Sequence, residues 1–125
     1  MRKLVMVLIL LTGVAAAHAA PLTIDAGNED YFVTTNETVD EIRVGNVNDY
    51  NRLYVQSGAT LTTTANNRLY LGYGATSANN LVQVTGAGST INSTGDWTFV
   101  GLRGVESTLL IEKGGTVNSY GGHVG

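Results

Sequence analysis

A short phrase that recurs three times constrains the fold of this chain more than any other feature. It is a run of alternating apolar residues followed by glycine, a small residue and an aliphatic residue, at 53–61, 82–91 and 110–117. A second phrase, an aliphatic residue followed by glycine, precedes each copy and recurs at the last two residues: Val44-Gly45, Leu71-Gly72, Val100-Gly101 and Val124-Gly125. Sequence repeated at a near-constant period predicts an array in which each unit stacks on the next.

Apolar alternation within each unit predicts strands. Leu53 and Val55 would face one side of a strand, and Tyr54 and Gln56 the other. Glycines recur too often for a helix to grow between them. Gly45 and Gly72 are 27 residues apart, which is room for about three short strands with turns. One unit therefore predicts one coil of an all-β parallel β-helix, a solenoid.

Stacked coils place equivalent residues above one another. Val55, Val84 and Ile111 are equivalent, so they are predicted to form one interior ladder.

One unit departs from this pattern. Thr98 occupies the place that Ile42 and Leu69 hold in the earlier units, and Trp97 precedes it. The departure predicts a shift of register that buries the indole in place of the threonine.

The first 19 residues differ from the rest and read as a secretory signal peptide. Arg2 and Lys3 form a positive start, 4–11 an apolar core, and Ala17-His18-Ala19 a cleavage site, with the cut expected after Ala19. A retained membrane anchor is the alternative, but the apolar run is shorter than the roughly 20 residues that span a bilayer. The chain is therefore expected to engage the general secretion machinery.

Residues 20–41 lack the repeated phrases. They predict two strands parted by polar turns, and we interpret them as an N-terminal cap over the open end of the solenoid. The repeats occupy 42–125, with phrases near 42–61, 69–91, 98–117 and 122–125.

The two phrases together resemble the repeat of autotransporter passenger regions and of exported bacterial proteins that carry a C-terminal sorting signal. The resemblance rests on the four aliphatic-glycine pairs and on Gly58-Ala59-Thr60-Leu61, Gly86-Ala87-Gly88-Ser89-Thr90-Ile91 and Gly114-Gly115-Thr116-Val117. It implies a right-handed parallel β-helix on the bacterial outer surface or outside the cell. It does not imply an enzyme. We expect an adhesin-like structural role, with a glycan or a cell-surface receptor as partner, and no enzymatic activity.

The sequence stops where another unit would begin. Two interpretations stay open: the chain is a C-terminally truncated piece of a longer passenger, or its last rung, 120–124, meets a partner. Unpaired backbone at such an edge predicts self-association.

Composition argues against several other classes. Without Arg2 and Lys3, five basic residues remain against ten acids, a net charge of −5. The basic residues are scattered singly, so nucleic acid is not an expected partner. The chain has no cysteine and therefore no disulfide.

No catalytic, cofactor-binding or metal-binding constellation is predicted. His123 is the one histidine beyond the signal peptide, which excludes a histidine pair for a metal. Asp96, Glu106 and Glu112 fall in different phases of the repeat, which argues against a paired acid and base. A polysaccharide lyase-like β-helix enzyme is the remote alternative.

Tyr54 and Tyr70 are the predicted candidates for glycan contact, because alternation places both outward. Aromatic rings stack on sugars, so an exported glycan-binding module is the alternative function. Outward tyrosines also pair across strands, and that structural role is the competing interpretation.

Overall fold

The structure is a computed structural model that describes residues 19–64 and 67–125. The predicted signal peptide lies outside the described residues, apart from Ala19. The described residues contain eleven strands and no helix, which confirms the all-β prediction. The strands are β1 (Leu22–Ile24), β2 (Asp30–Val33), β3 (Glu37–Val39), β4 (Ile42–Val44), β5 (Arg52–Val55), β6 (Thr60–Thr63), β7 (Leu69–Leu71), β8 (Leu81–Thr85), β9 (Thr90–Val100), β10 (Thr108–Glu112) and β11 (Thr116–Val124).

These strands wind into a parallel β-solenoid with three faces. The first face stacks β1, β4, β7 and the C-terminal parts of β9 and β11. The second face stacks β2, β5, β8 and β10. The third face stacks β3, β6 and the N-terminal parts of β9 and β11. Each pairing joins a strand to its equivalent one coil later, which confirms the stacked repeat.

The predicted interior ladder is confirmed. Val55 pairs with Val84, and Val84 pairs with Ile111. Val55 and Val84 are fully buried, whereas Ile111 is 46% exposed because β10 is the edge strand of its sheet. Aliphatic side chains from all three faces complete the core: Ile24, Val33, Val39, Ile42, Val44, Leu53, Leu61, Leu69, Leu71, Val82 and Ile91.

Residues 20–41 hold three strands, where the sequence predicted two. The additional strand, β3, is only three residues long, and its single inward aliphatic residue, Val39, gives no visible alternation. All three strands pair in register with the following coil. Residues 22–39 therefore form a coil with the same three faces as the repeats.

The predicted register shift at Thr98 is wrong. Leu69 pairs with Thr98 and Leu71 with Val100, so the register of the earlier coils continues. A shift by one residue would exchange the inward and outward sides of the whole strand. Thr98 stays inside at 5% exposure with no hydrogen-bond partner for its hydroxyl among the described residues, and Trp97 stays outside at 42% exposure.

Buried asparagines join successive coils at the turn between the first and second faces. Asn51 donates from its backbone N–H and from Nδ2 to Oδ1 of Asn80, at 2.9 and 3.1 Å. The backbone N–H of Gly27 in turn donates to Asn51 Oδ1 at 3.0 Å. Gly45 lies beneath Asn80 at a φ of 74°, and a Cβ there would come within 2.2 Å of Asn80 Nδ2. The turn therefore needs glycine for its backbone conformation and for space.

Candidate functional site

Aromatic and arginine side chains concentrate on the outer surface of the first face. We call this surface the aromatic face. It lies on β4, β7, β9, β11 and the residues next to β7, and it comprises Arg43, Arg68, Tyr70, Tyr73, Trp97, Phe99, Tyr120 and His123.

A single column runs through the middle of the aromatic face. Arg43 pairs with Tyr70, Tyr70 with Phe99, and Phe99 with His123. The rings of Tyr70 and Phe99 stack with centroids 5.4 Å apart, and those of Phe99 and His123 lie 5.9 Å apart. Parallel coils in register place equivalent outward residues above one another, which is why these side chains meet.

Tyr70 is the covered centre of this column. Tyr73 meets its ring edge-on at 4.9 Å, and the Arg43 guanidinium lies 5.9 Å from its centroid. Only 7% of Tyr70 is exposed. Its outward direction agrees with the alternation of the strand, and side chains of neighbouring coils then bury it.

Trp97 and Tyr120 form an exposed edge of the aromatic face, where Arg68 and His123 are exposed as well. The Trp97 ring lies 6.5 Å from those of both Phe99 and Tyr120. Trp97 is 42% exposed and Tyr120 is 75% exposed. A Cβ built at Gly121 would come within 3.1 Å of the indole, so the indole lies against the bare backbone of β11.

Both arginines of the aromatic face are paired with carboxylates. Arg68 donates from Nε to Asp96 Oδ2 at 2.8 Å and from Nη1 to the Tyr70 hydroxyl at 2.9 Å. These two hydrogen bonds hold the Arg68 pKa above its usual range. The backbone N–H of Trp97, at 2.8 Å, and the Arg68 guanidinium lower the pKa of Asp96.

Arg43 likewise pairs with Glu41. The aromatic face therefore carries charged groups in neutral pairs, and an approaching ligand meets donors and acceptors with little net charge.

The structure places the two predicted glycan-contact residues on different faces. Tyr54 lies on β5 in the second face, where its ring stacks on Phe32 at 4.8 Å and 12°. Tyr70 lies on β7 in the first face and is covered. The two tyrosines form no common strip, and each pairs with a ring in a neighbouring coil. Contact of either with a glycan remains a prediction.

The sequence contained a signal for the aromatic face that strand alternation alone did not reveal. Arg43, Tyr70, Phe99 and His123 each stand two residues before the glycine of an aliphatic-glycine pair. An alignment of the units on that glycine would have put the four in one column. His123 considered alone gave no such signal. Trp97 was predicted to lie in the core because its indole is hydrophobic.

The three acids considered for catalysis belong to different elements. Asp96, on β9, pairs with Arg68, and Glu112, on β10, accepts a hydrogen bond from Gln83 Nε2 at 2.7 Å. Glu106 lies in the loop between β9 and β10. Within residues 19–64 and 67–125, no three histidine, cysteine or acidic residues gather closely enough to hold a metal.

A cavity of about 460 Å³ lies beside the loop between β9 and β10. Residues 100–107 line it together with Val124 and Gly125. Its lining includes the charged side chains of Arg103 and Glu106. The aromatic face is the better-built candidate site, because its side chains contact one another in a fixed order.

Comparisons with protein-family models, with curated proteins and with solved structures gave no match. In the described part of the chain, no helix has the length and apolar character needed to cross a membrane.

Proposed function

We propose that this chain is an exported structural β-solenoid, of the type found in autotransporter passengers, that acts as an adhesin-like segment at or outside the bacterial surface. The observation that carries the proposal is the continuous parallel stacking of all three faces over one aliphatic core. A right-handed coil, as in those passengers, is part of the proposal.

The fold suits a structural role because it holds outward side chains at fixed spacing. Successive strands lie about 4.8 Å apart, so residues on neighbouring coils form columns such as the one from Arg43 to His123. The buried asparagines at one corner join the first three coils to one another. Such a rod presents a binding surface without having to order it during binding.

Export is tested by the fate of the N-terminus. The 125-residue chain, with a C-terminal tag, is produced in a Gram-negative bacterium, and its mass is measured in the periplasmic fraction. We expect a product that lacks residues 1–19. Leu8→Arg, which breaks the apolar core, should leave an uncleaved precursor in the cytoplasm, whereas Leu8→Ile should not. An uncleaved wild-type chain in the cytoplasm would overturn the proposal.

Adhesion is tested separately with the exported protein. Beads coated with it are expected to adhere to cell surfaces more strongly than beads coated with the heat-unfolded protein, because adhesion depends on columns of side chains that only the solenoid assembles. Equal adhesion of the two would contradict the adhesin-like role and leave the result on export intact.

A further inference from the structure

The edge of the aromatic face has features that a purely structural solenoid does not need. Most of the column is stacked and covered, but Trp97 and Tyr120 expose two large rings at its side, 6.5 Å apart and inclined at 61°. We call this pair the Trp97–Tyr120 edge. Exposed tryptophan and tyrosine rings carry much of the energy of binding at protein surfaces.

Trp97 is held in place before any ligand arrives. Carbons Cδ2 and Cε3 of its indole lie 3.1 Å from the position that a Cβ of Gly121 would take. On its own strand, its backbone N–H donates to Asp96 Oδ1 at 2.8 Å. One face of the indole is thus supported by β11, and binding need not order this side chain.

Polar groups flank the same edge. Arg68 and Asp96 form an ion pair next to Trp97, and the Arg68 guanidinium lies 5.9 Å from the Phe99 ring centroid. This pair supplies N–H donors and carboxylate acceptors with no net charge. The edge therefore combines flat apolar surface with neutral hydrogen-bonding groups.

The area of the edge limits what can bind there. From their exposed fractions, the two rings offer roughly 250 Å². A stable protein interface takes about 800 Å² from each partner. The edge is consequently too small for a protein partner of ordinary size, and it fits a chain about one ring wide.

The geometry points to a neutral oligosaccharide as the ligand of the Trp97–Tyr120 edge. A pyranose ring has an apolar face of C–H groups, which stacks on Trp97 and Tyr120, and a rim of hydroxyls, which both donate and accept hydrogen bonds. Arg68 and Asp96 match that rim. An acidic glycan would need an unpaired cation, and both arginines of the face are already paired.

Binding at this edge does not depend on export. The glycan contact falls to Trp97 and Tyr120, and not to Tyr54 and Tyr70. Failure of the export experiment would leave the glycan site standing, and failure of the glycan site would leave the structural proposal standing.

Trp97 provides the direct test, because it is the only tryptophan in the chain. The folded protein is titrated with cellohexaose and with the hexamer of N-acetylglucosamine while tryptophan emission is recorded. We expect a saturable change with at least one of them. Raising the salt concentration about tenfold should leave the affinity unchanged, because no net charge is neutralised.

Variants locate the site by isothermal titration calorimetry. Trp97→Ala and Tyr120→Ala are each expected to weaken binding at least about tenfold. Tyr54→Ala, which removes a ring from the second face, should have no effect. Circular dichroism confirms that each variant is folded, and Tyr120→Ala is the safer of the two because Tyr120 is 75% exposed.

Three results would overturn the inference. The first is no change in Trp97 emission with either oligosaccharide at millimolar concentration. The second is loss of binding in Tyr54→Ala but not in Trp97→Ala or Tyr120→Ala. The third is stronger, salt-dependent binding of polygalacturonate, which would show that the ligand is acidic.

Discussion

Replacing Thr98 by valine should stabilise the protein. Thr98 occupies the interior position that Ile42 and Leu69 hold in the preceding coils, as its pairing with Leu69 shows. Its hydroxyl is buried and has no partner among the described residues. Valine has nearly the same shape and no polar group, so Thr98→Val removes the cost of burying that hydroxyl without opening a cavity.

The expected gain follows from the cost of a buried, unsatisfied polar group, which is about 1–3 kcal/mol. Some of this is lost because the hydroxyl adjusts locally, so we expect the free energy of unfolding to rise by about 1–2 kcal/mol. In a domain of this size, that corresponds to a rise in Tm of roughly 5–10 °C.

The assay is urea unfolding of Thr98→Val, with Thr23→Val as the matched control. Thr23 lies on the outer side of β1 and is exposed, so the same change there should alter the free energy of unfolding by less than about 0.5 kcal/mol. The slope with urea should stay constant in both variants, because neither changes the surface that unfolding exposes.

Two results would refute the reasoning. One is destabilisation by Thr98→Val, and the other is an equal effect of the two variants. Destabilisation would mean that the Thr98 hydroxyl has a hydrogen-bond partner, whereas an equal effect would mean that the Thr98 side chain is outside the core. Trp97 would then lie inside, and its emission would be shielded from quenching by acrylamide.

Three further predictions are tested on purified variants. Asn80→Ala removes the acceptor of two buried N–H groups of Asn51 in the preceding coil, so the free energy of unfolding, measured in urea, should fall by about 2–3 kcal/mol. A loss below about 0.5 kcal/mol would contradict the hydrogen bonds between Asn51 and Asn80. Gly45→Ala should cost at least about 2 kcal/mol, because its Cβ would collide with Asn80, whereas Gly122→Ala, whose Cβ meets nothing within 4 Å, should be tolerated; equal losses would argue against the turn as described. Burial raises the pKa of Tyr31 to about 12, above its usual value of 10. The folded state therefore holds the hydroxyl proton more tightly than the unfolded chain does, and the protein should lose stability as the pH rises from about 10 to 12. Tyr31→Phe should flatten that part of the stability profile, and an unchanged profile would refute the assignment.

The fold could be predicted from the sequence because each unit repeats the same aliphatic-glycine pair and the same alternating apolar phrase. The glycine of each aliphatic-glycine pair marks the same position in every coil, so Val55, Val84 and Ile111 could be aligned from the repeat alone. The coil at 22–39, which lacks the alternating apolar phrase, was harder to predict. The strand Glu37–Val39 has one inward aliphatic residue, and alternation cannot be recognised from one residue.

The candidate site was less predictable, because it depends on contacts between coils. Alternation placed Tyr70 outward, which the structure confirms, but its burial comes from Arg43, Tyr73 and Phe99 on three different segments. Trp97 was assigned to the core on its hydrophobicity. The pairing of Leu71 with Val100 fixed the register instead and left the indole on the surface.

In-register parallel stacking of the coils is the central claim, and disulfide formation between introduced cysteines tests it most directly. The chain has no cysteine of its own, and Thr62 and Asn92 are outward-facing partners on β6 and β9. Their Cα atoms lie within the roughly 4.4–6.8 Å that a disulfide needs, whereas Thr62 and Thr90, offset by two residues, do not. We predict that Thr62→Cys with Asn92→Cys cross-links completely under mild oxidation and that Thr62→Cys with Thr90→Cys does not. Equal cross-linking of the two pairs, or faster cross-linking of the offset pair, would contradict the register on which the whole solenoid depends.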